Sequence, residues 1–341
     1  MCNPTRPTKH RQTMKKLGQL LLLITLTLTA CKQNDRQEKS HNQIFNDTTE
    51  MQFNSATETE NYKRKETIYG RTYGTALTMD IFTPKKNSNG LGIVLFISEG
   101  WYSEREKTEY NIPIYIDEFI KKGYTVFAVI HGSNPKFSLQ ENYEHAKRAV
   151  RFIRHNATEF GINPNKIGAT GDSAGGHLSL LVGSDKETQD KNSEDPVERQ
   201  SCKVQAIVAF FPPTDFFNWG KADNKMLGNH PTVSLKGAFT FYELDTTTNS
   251  LEQITDQIKI YSIVKDLSPI YQVNETTSPT LIVYGDKDSF IPIQQSQSLS
   301  KRLQELKVPT ETIVEKGGEH DEVTIKNNLG QAITWFDKYL K

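Results

Sequence analysis

From about residue 66 to the end of the chain, short apolar runs alternate with longer stretches in which apolar residues recur every three or four positions. Continuous apolar runs are typical of buried parallel strands, and the longer spacing is typical of helices that pack one face against a core. The alternation therefore predicts a mostly parallel sheet covered by helices. The predicted strands are residues 76–82, 92–98, 124–130, 166–170, 204–210, 280–284 and 311–314.

Three helices are predicted among these strands, at residues 142–160, 293–306 and 322–340. The first has the clearest pattern, because its apolar residues fall at steps of three and four while its arginines lie on other faces. Those apolar residues are Ala146, Val150, Ile153, Ala157 and Phe160.

Residues 212–269 interrupt the rhythm with glycines, prolines, a tryptophan and a polar run. The segment is long for a connection inside a compact domain, and insertions of this kind usually cover or line a site. We expect it to form a cap. The alternative is a surface loop that does not touch the substrate.

The start of the chain differs from the rest. Two lysines, Lys15 and Lys16, precede an apolar run at residues 17–30 that is too short to span a bilayer, which predicts a secretory signal peptide over residues 1–30. The run ends in Leu-Thr-Ala-Cys, which resembles a bacterial lipobox and implies cleavage before Cys31 and lipidation of that cysteine. The alternatives are an ordinary signal peptide or an uncleaved anchor. Residues 31–65 are polar without a sustained period, so we expect a flexible tether to the cell envelope.

Residues 171–177 read Gly-Asp-Ser-Ala-Gly-Gly-His and directly follow the predicted strand 166–170. This pattern predicts a nucleophile elbow, in which a sharp strand-to-helix turn strains the serine backbone and exposes its hydroxyl. Side chains at Gly171 or Gly175 would collide with the neighbouring strand and helix. Ser173 is therefore the candidate nucleophile, and the alternative is a solvated serine in a turn of small residues.

A serine hydroxyl is a weak nucleophile at neutral pH, so it needs a histidine base and an acid that orients the base. His320 is the candidate base, because the other histidines precede the folded region, lie upstream of or within the elbow region, or lie in the insertion. Asp286 and Asp288 both follow the predicted strand 280–284, and either could be the acid. The chain order Ser, Asp, His is that of the α/β-hydrolase triad.

Taken together, these segments resemble an α/β-hydrolase of the esterase and lipase group that includes acetyl-xylan and feruloyl esterases, and they are also similar to the prolyl oligopeptidase catalytic domain. The resemblance covers about residues 66–341 and rests on segments 149–154, 161–168, 171–177 and 285–292. It implies that Asp288 is the triad acid and that Asp286 caps its own loop. It also implies that His177 is a buried scaffold residue.

The resemblance further implies an oxyanion hole of backbone N–H groups, one of them from Ala174. The others come in the family from a His-Gly-Gly-Gly-Trp loop, which here reads Ile-Ser-Glu-Gly-Trp at residues 97–101. We expect the N–H groups of Glu99 and Gly100 to face the site. A carboxylate pointing at the oxyanion would oppose catalysis, so we expect that of Glu99 to turn outward or to pair with a cation.

The chain has 41 basic and 41 acidic residues, so its net charge does not favour the binding of nucleic acid. Its three cysteines are too few and too scattered for a disulfide framework or a thiolate metal site, and we expect Cys202 to be a buried apolar residue. We expect no cofactor and no metal, because the sequence lacks a His-Glu-x-x-His motif and clustered carboxylates with ligand spacing.

The leading functional hypothesis is a serine hydrolase that cleaves carboxylic esters through an acyl-enzyme, with an acyl group on carbohydrate as one candidate substrate. The expected partners are a small-molecule or glycan ester and a membrane contacted through the lipid anchor alone. Two alternatives stay open: a serine peptidase of the prolyl oligopeptidase type, and a non-catalytic binding protein on the same fold.

Overall fold

The computed structural model describes residues 56–186 and 189–341. The predicted signal peptide, the lipidation site Cys31 and most of the predicted tether lie outside the described residues. Within the described ranges, no helix is both long enough and apolar enough to cross a membrane.

A mostly parallel sheet forms the centre of the fold. Within the described ranges it has nine strands in the order β1-β2-β3-β5-β4-β6-β7-β10-β11. The pairs from β1 to β5 along this order are antiparallel and the remaining pairs are parallel. The strands are β1 (Ala56–Glu58), β2 (Tyr62–Thr72), β3 (Thr75–Pro84), β4 (Gly92–Ile97), β5 (Thr125–Ile130), β6 (Ile167–Asp172), β7 (Ala206–Phe210), β10 (Thr280–Gly285) and β11 (Thr310–Glu315), while β8 (Tyr242–Asp245) and β9 (Ser250–Gln253) form a separate hairpin.

Helices follow the parallel strands. They are α1 (Glu106–Asn111), a π-helix (Ile112–Ile116), α2 (Asp117–Lys121), α3 (Leu139–His155), α4 (Ala174–Ser184), a 3-10 helix (Lys236–Phe239), α5 (Gln257–Asp266), α6 (Pro269–Gln272), α7 (Gln294–Glu305) and α8 (Glu322–Leu340). The predicted helix 142–160 is α3, which begins earlier because Glu141 accepts a hydrogen bond from the Ser138 N–H at 2.7 Å and closes the first turn. Its predicted last turn, residues 156–160, is not helical.

The predicted boundary between tether and folded domain at residue 65 is wrong, because β1 and most of the first half of β2 lie before it. β2 pairs antiparallel with β3 and β1 pairs with its other side. An antiparallel strand with one face in solvent buries few side chains, and in β2 these are chiefly Tyr62 and Tyr69. The exposed Lys63 and Lys65 give the start of β2 the composition of a linker, so the hydrophobic pattern does not distinguish it from the tether.

The insertion at residues 212–269 carries the 3-10 helix, the β8–β9 hairpin and α5. Phe239 in the 3-10 helix packs edge-on against Trp101, with ring centroids 5.4 Å apart. The insertion therefore packs on the turn that follows β4.

The parallel strands β4, β6, β10 and β11 all end at the same edge of the sheet. Loops after such strands meet at that edge. The turn at residues 98–102, the serine at 173 and the loops that carry Asp288 and His320 are therefore gathered in one region.

Candidate active site

Ser173 lies at the junction of β6 and α4 with φ 51° and ψ −118°. A positive φ is unfavourable for a residue with a Cβ, and it persists here because the surrounding backbone holds it. The Ser173 N–H donates to the Phe210 carbonyl at 2.9 Å, and its carbonyl accepts from the His177 N–H at 3.0 Å. The predicted strained turn is present.

The glycines around the serine are required by close backbone packing. A Cβ on Gly171 would lie 2.7 Å from the carbonyl carbon of Gly175. A Cβ on Gly175 would lie 2.4 Å from the carbonyl oxygen of Phe96 in β4. Both distances are too short for any side chain, as the sequence predicted.

His320 and Asp288 form a hydrogen-bonded pair, with 2.9 Å between Nδ1 and Oδ2. The other Asp288 oxygen accepts from the N–H groups of Phe290 and Ile291 at 2.9 and 2.8 Å. A carboxylate can only accept, so Nδ1 of His320 donates and its Nε2 is left as the proton acceptor. The Asp288 side chain is 1% exposed and that of His320 is 18% exposed, which leaves the ring open to the cavity.

Asp286, the other candidate acid, has a different role. Its Oδ1 accepts from the Gly317 N–H at 2.7 Å and so fastens the loop that leads to His320. The structure thus places Asp288, and not Asp286, on the histidine ring.

Ser173 and His320 line one cavity of about 500 Å³. Phe211 and Phe290 flank the imidazole, with ring centroids 4.2 and 5.0 Å from it. The insertion contributes Val233 and Leu235 to the lining, as expected for a cap. The lining also includes the polar side chains of Glu99, Lys107, Tyr110, Asp172 and Glu322.

The prediction that the Glu99 N–H faces the oxyanion is wrong. That N–H donates to the Tyr102 carbonyl at 2.9 Å, and the Tyr102 N–H donates back to Glu99 at 3.0 Å. Gly100 and Trp101 between them both have positive φ, 56° and 61°, as a type I′ turn requires. The Glu99 N–H is therefore occupied by a hydrogen bond within the turn and cannot donate to an oxyanion. The sequence pattern did not reveal this hydrogen bond.

Two predicted donors are left. Within the ranges that the structure describes, neither the Gly100 N–H nor the Ala174 N–H donates to a protein acceptor. Ala174 begins the helix after the elbow, where the first N–H groups have no partner inside the helix.

The Glu99 carboxylate is paired with a cation, as expected. Lys107 Nζ lies 2.9 Å from Glu99 Oε2, and this hydrogen bond raises the pKa of Lys107. The pair links α1 to the turn after β4 at the lining of the cavity.

His177 is fully buried and serves the scaffold, as the resemblance implied. Its Nε2 donates to the Leu267 carbonyl at 2.7 Å, and its Nδ1 accepts from Trp101 Nε1 at 3.4 Å. Burial lowers the pKa of His177 to about 4, so the ring is neutral at pH 7. It thereby ties the elbow helix to the strained Trp101.

Asp172 stands inside the elbow motif, and the sequence analysis did not single it out as a residue of the site. Its carboxylate lines the cavity, and Tyr115 of the π-helix donates to it at 3.2 Å from 57 residues away. Burial raises the pKa of Asp172, and the nearby His320 opposes that rise.

Elsewhere in residues 56–186 and 189–341, no three His, Cys, Asp or Glu side chains are grouped to hold a metal ion. Cys202 is buried, and burial raises the pKa of its thiol to about 12. A thiol with that pKa is protonated at neutral pH and unreactive.

Comparisons with known proteins agree with this geometry. The BD-FAE family model matches residues 79–303. Among curated proteins, the chain is 25% identical over 240 residues to "Probable carboxylic ester hydrolase LipM" of Mycobacterium tuberculosis, an alignment that covers 70% of this chain and 51% of that protein. The chain thus spans about half the length of the curated relatives it matches.

Among solved structures, "Truncated form of carbohydrate esterase from gut microbiota" superposes with a TM-score of 0.65 at 21% identity, covering 84% of this chain and 98% of the other. The acetyl ester-xyloside bifunctional hydrolase of Caldicellulosiruptor lactoaceticus gives a TM-score of 0.59 at 21% identity, covering 80% and 93%. The predicted α/β-hydrolase fold is confirmed.

Proposed function

The chain belongs to the BD-FAE family, and on that premise we propose that it is a serine hydrolase that cleaves carboxylic esters through an acyl-enzyme. The observation that carries the proposal is the His320–Asp288 hydrogen bond at a cavity that the elbow serine also lines. Ser173 is the nucleophile, His320 the acid and base, and Asp288 the group that orients the ring.

The reaction depends on the Ser173 hydroxyl and on Nε2 of His320, the ring nitrogen that Asp288 does not contact. The Ser173 oxygen attacks the ester carbonyl while Nε2 of His320 takes its proton, and Asp288 stabilises the imidazolium. The imidazolium then gives the proton to the departing alkoxide, so an alcohol leaves and the acyl group stays on Ser173. A water molecule repeats the sequence, transfers its proton through His320 and releases the carboxylic acid.

Negative charge develops on the carbonyl oxygen during each attack. The N–H groups of Gly100 and Ala174 are the donors for this oxyanion, because no protein acceptor in the described part of the chain occupies them. Removing one such donor typically costs about 10²–10³ in kcat. The Lys107 partner keeps the Glu99 carboxylate from this oxygen.

The substrate is an acyl ester of carbohydrate. The cavity of about 500 Å³ lies within the usual range of small-molecule sites, and both apolar and polar side chains line it. Similar proteins named as a carbohydrate esterase and as an acetyl ester-xyloside hydrolase support this substrate class.

The start of the chain gives the location of the enzyme in this proposal. Residues 1–30 act as a signal peptide, and lipidated Cys31 holds the enzyme to the bacterial cell envelope.

The test uses the purified full chain, p-nitrophenyl acetate and a fluorophosphonate probe. We expect turnover, a burst of p-nitrophenol and labelling of the wild type, all lost in Ser173→Ala. Equal turnover in both proteins would leave a non-catalytic binder, and cleavage of peptide amides without ester turnover would favour a peptidase. For the anchor, Cys31→Ser should move the protein from the membrane fraction to the soluble fraction, and unchanged fractionation would refute it.

A further inference from the structure

His230 is a buried histidine of the insertion that the reaction described above does not use. Its ring stacks on Phe290, with centroids 4.2 Å apart and an angle of 29° between the planes. Trp219 packs edge-on against the same ring at 5.8 Å. These contacts hold the imidazole of His230 in one orientation.

The hydrogen bonds of His230 determine which ring nitrogen carries the proton. The Thr232 N–H donates to Nδ1 at 3.3 Å, and a backbone N–H can only donate. Nδ1 is therefore the acceptor and the proton lies on Nε2. Nε2 donates this proton to the Phe290 carbonyl at 2.9 Å.

That carbonyl belongs to the 290–291 peptide, the trans peptide unit that joins Phe290 to Ile291. A trans peptide is a rigid plane whose C=O and N–H point in opposite directions. Its N–H, that of Ile291, donates to Oδ1 of Asp288 at 2.8 Å. His230 thus orients and polarises the peptide whose N–H holds the triad acid.

The region around this peptide needs such a contact. Residues 286–293 connect β10 to α7 and belong to neither element, so no strand ladder fixes the direction of their peptides in the described structure. On the side of the insertion, the Leu235 N–H donates to the Gly228 carbonyl at 3.1 Å and closes the loop 228–235. Leu235 also lines the cavity, so one loop of the cap both faces the substrate site and holds the 290–291 peptide.

We propose that His230 is a positioning residue that fixes the Asp288 carboxylate through the 290–291 peptide, so that the cap completes the catalytic triad as well as covering it. The inference rests on the proposed ester hydrolysis. Asp288 in turn orients His320 through the hydrogen bond to Nδ1. A displaced triad acid misaligns the base, and a misplacement of about 1 Å can cost about 10² in rate.

The test measures steady-state hydrolysis of p-nitrophenyl acetate by the purified full chain, with far-UV circular dichroism to check folding. His230→Phe keeps a ring on Phe290 but removes the donor, so kcat should fall about 10- to 100-fold while KM changes by less than about threefold. His230→Gln can present an amide N–H to the same carbonyl and should keep at least about a third of wild-type kcat. His230→Leu, which also lacks a donor, replaces His230→Phe if that variant does not fold.

The matched control is Thr232→Val. It removes the hydroxyl that lies 3.1 Å from Nδ1 of His230 but leaves the backbone N–H on that nitrogen. Its kcat should stay within about threefold of the wild type.

A double-mutant cycle tests whether His230 acts through Asp288. Residues that act as one unit have strongly non-additive effects. In the Asp288→Asn background, His230→Phe should therefore lower kcat by less than about threefold further.

Four results would overturn the assignment. They are a kcat of His230→Phe within about threefold of the wild type, an equal loss in His230→Gln, a raised KM with unchanged kcat, and multiplying effects in the double variant. The third would mean that the residue acts on substrate binding and not on the acid. A wild type that hydrolyses no ester refutes the proposed function and this inference together, whereas those four results overturn the inference alone.

Discussion

Exchange of the two candidate acids for asparagine separates their roles. In Asp288→Asn the side-chain oxygen stays on the N–H groups of Phe290 and Ile291, because the amide nitrogen cannot accept from them. The amide NH₂ then faces Nδ1 of His320, which must accept, so the ring proton moves to Nε2. A ring protonated there cannot take the proton of Ser173.

The expected loss is large. The equivalent exchange in a serine protease with the same triad geometry lowers kcat by about 10⁴, and we expect about 10³–10⁴ here. That factor corresponds to about 4–5.5 kcal/mol of transition-state stabilisation. KM should change by less than about threefold, since the pair does not bind the ground state.

The matched control is Asp286→Asn, whose amide oxygen can still accept from the Gly317 N–H. Its kcat should stay within about threefold of the wild type. The assay is steady-state hydrolysis of p-nitrophenyl acetate, with far-UV circular dichroism to check that each variant folds. Retention of more than a tenth of wild-type kcat in Asp288→Asn, or a larger loss in Asp286→Asn, would refute the reasoning.

Three further predictions concern the surroundings of the site. Gly175→Ala should lower the free energy of unfolding by about 1–3 kcal/mol and abolish activity, because its Cβ would meet the β4 backbone. The control Gly330→Ala, in open space on α8, should unfold no more easily than the wild type, and equal melting temperatures for the two variants would contradict this prediction. Glu99→Gly should keep at least about a tenth of kcat, because the residue contributes no oxyanion donor, and complete inactivation would show that its role is misread. Burial lowers the pKa values of His131, His145 and His177 below the value in the unfolded chain. The unfolded chain therefore binds more protons as the pH drops from 6.5 towards 3, and the free energy of unfolding should fall. An unfolding free energy in urea that stays constant over this pH range would contradict the burial of these histidines.

The parts of the site that local sequence specifies were predictable. The elbow is a contiguous pattern, so Ser173 and the need for Gly171 and Gly175 followed from steric rules alone. The choice of Asp288 over Asp286 did not follow from those rules and required the family resemblance. Both aspartates accept hydrogen bonds in the same loop region, and the partner of each is decided by folding.

Features that depend on backbone angles or on distant partners were not predictable. The Glu99 N–H donates to the Tyr102 carbonyl because Gly100 and Trp101 both adopt positive φ. The sequence Gly-Trp does not predict this backbone conformation. The Asp172–Tyr115 contact joins the elbow to a π-helix that no periodicity marked. Residues 62–65 of β2 fall within the predicted tether because the exposed positions there, Lys63 and Lys65, are charged.

The central claim is that Ser173, His320 and Asp288 act as one unit beneath the Gly100 and Ala174 donors. A crystal structure of the fluorophosphonate-inhibited protein tests it most directly. We predict phosphorus bonded to Oγ of Ser173, Nε2 of His320 in hydrogen-bond reach of the adduct, and a phosphoryl oxygen about 2.7–3.1 Å from both N–H groups. An adduct on another residue, or a phosphoryl oxygen remote from those donors, would contradict the account.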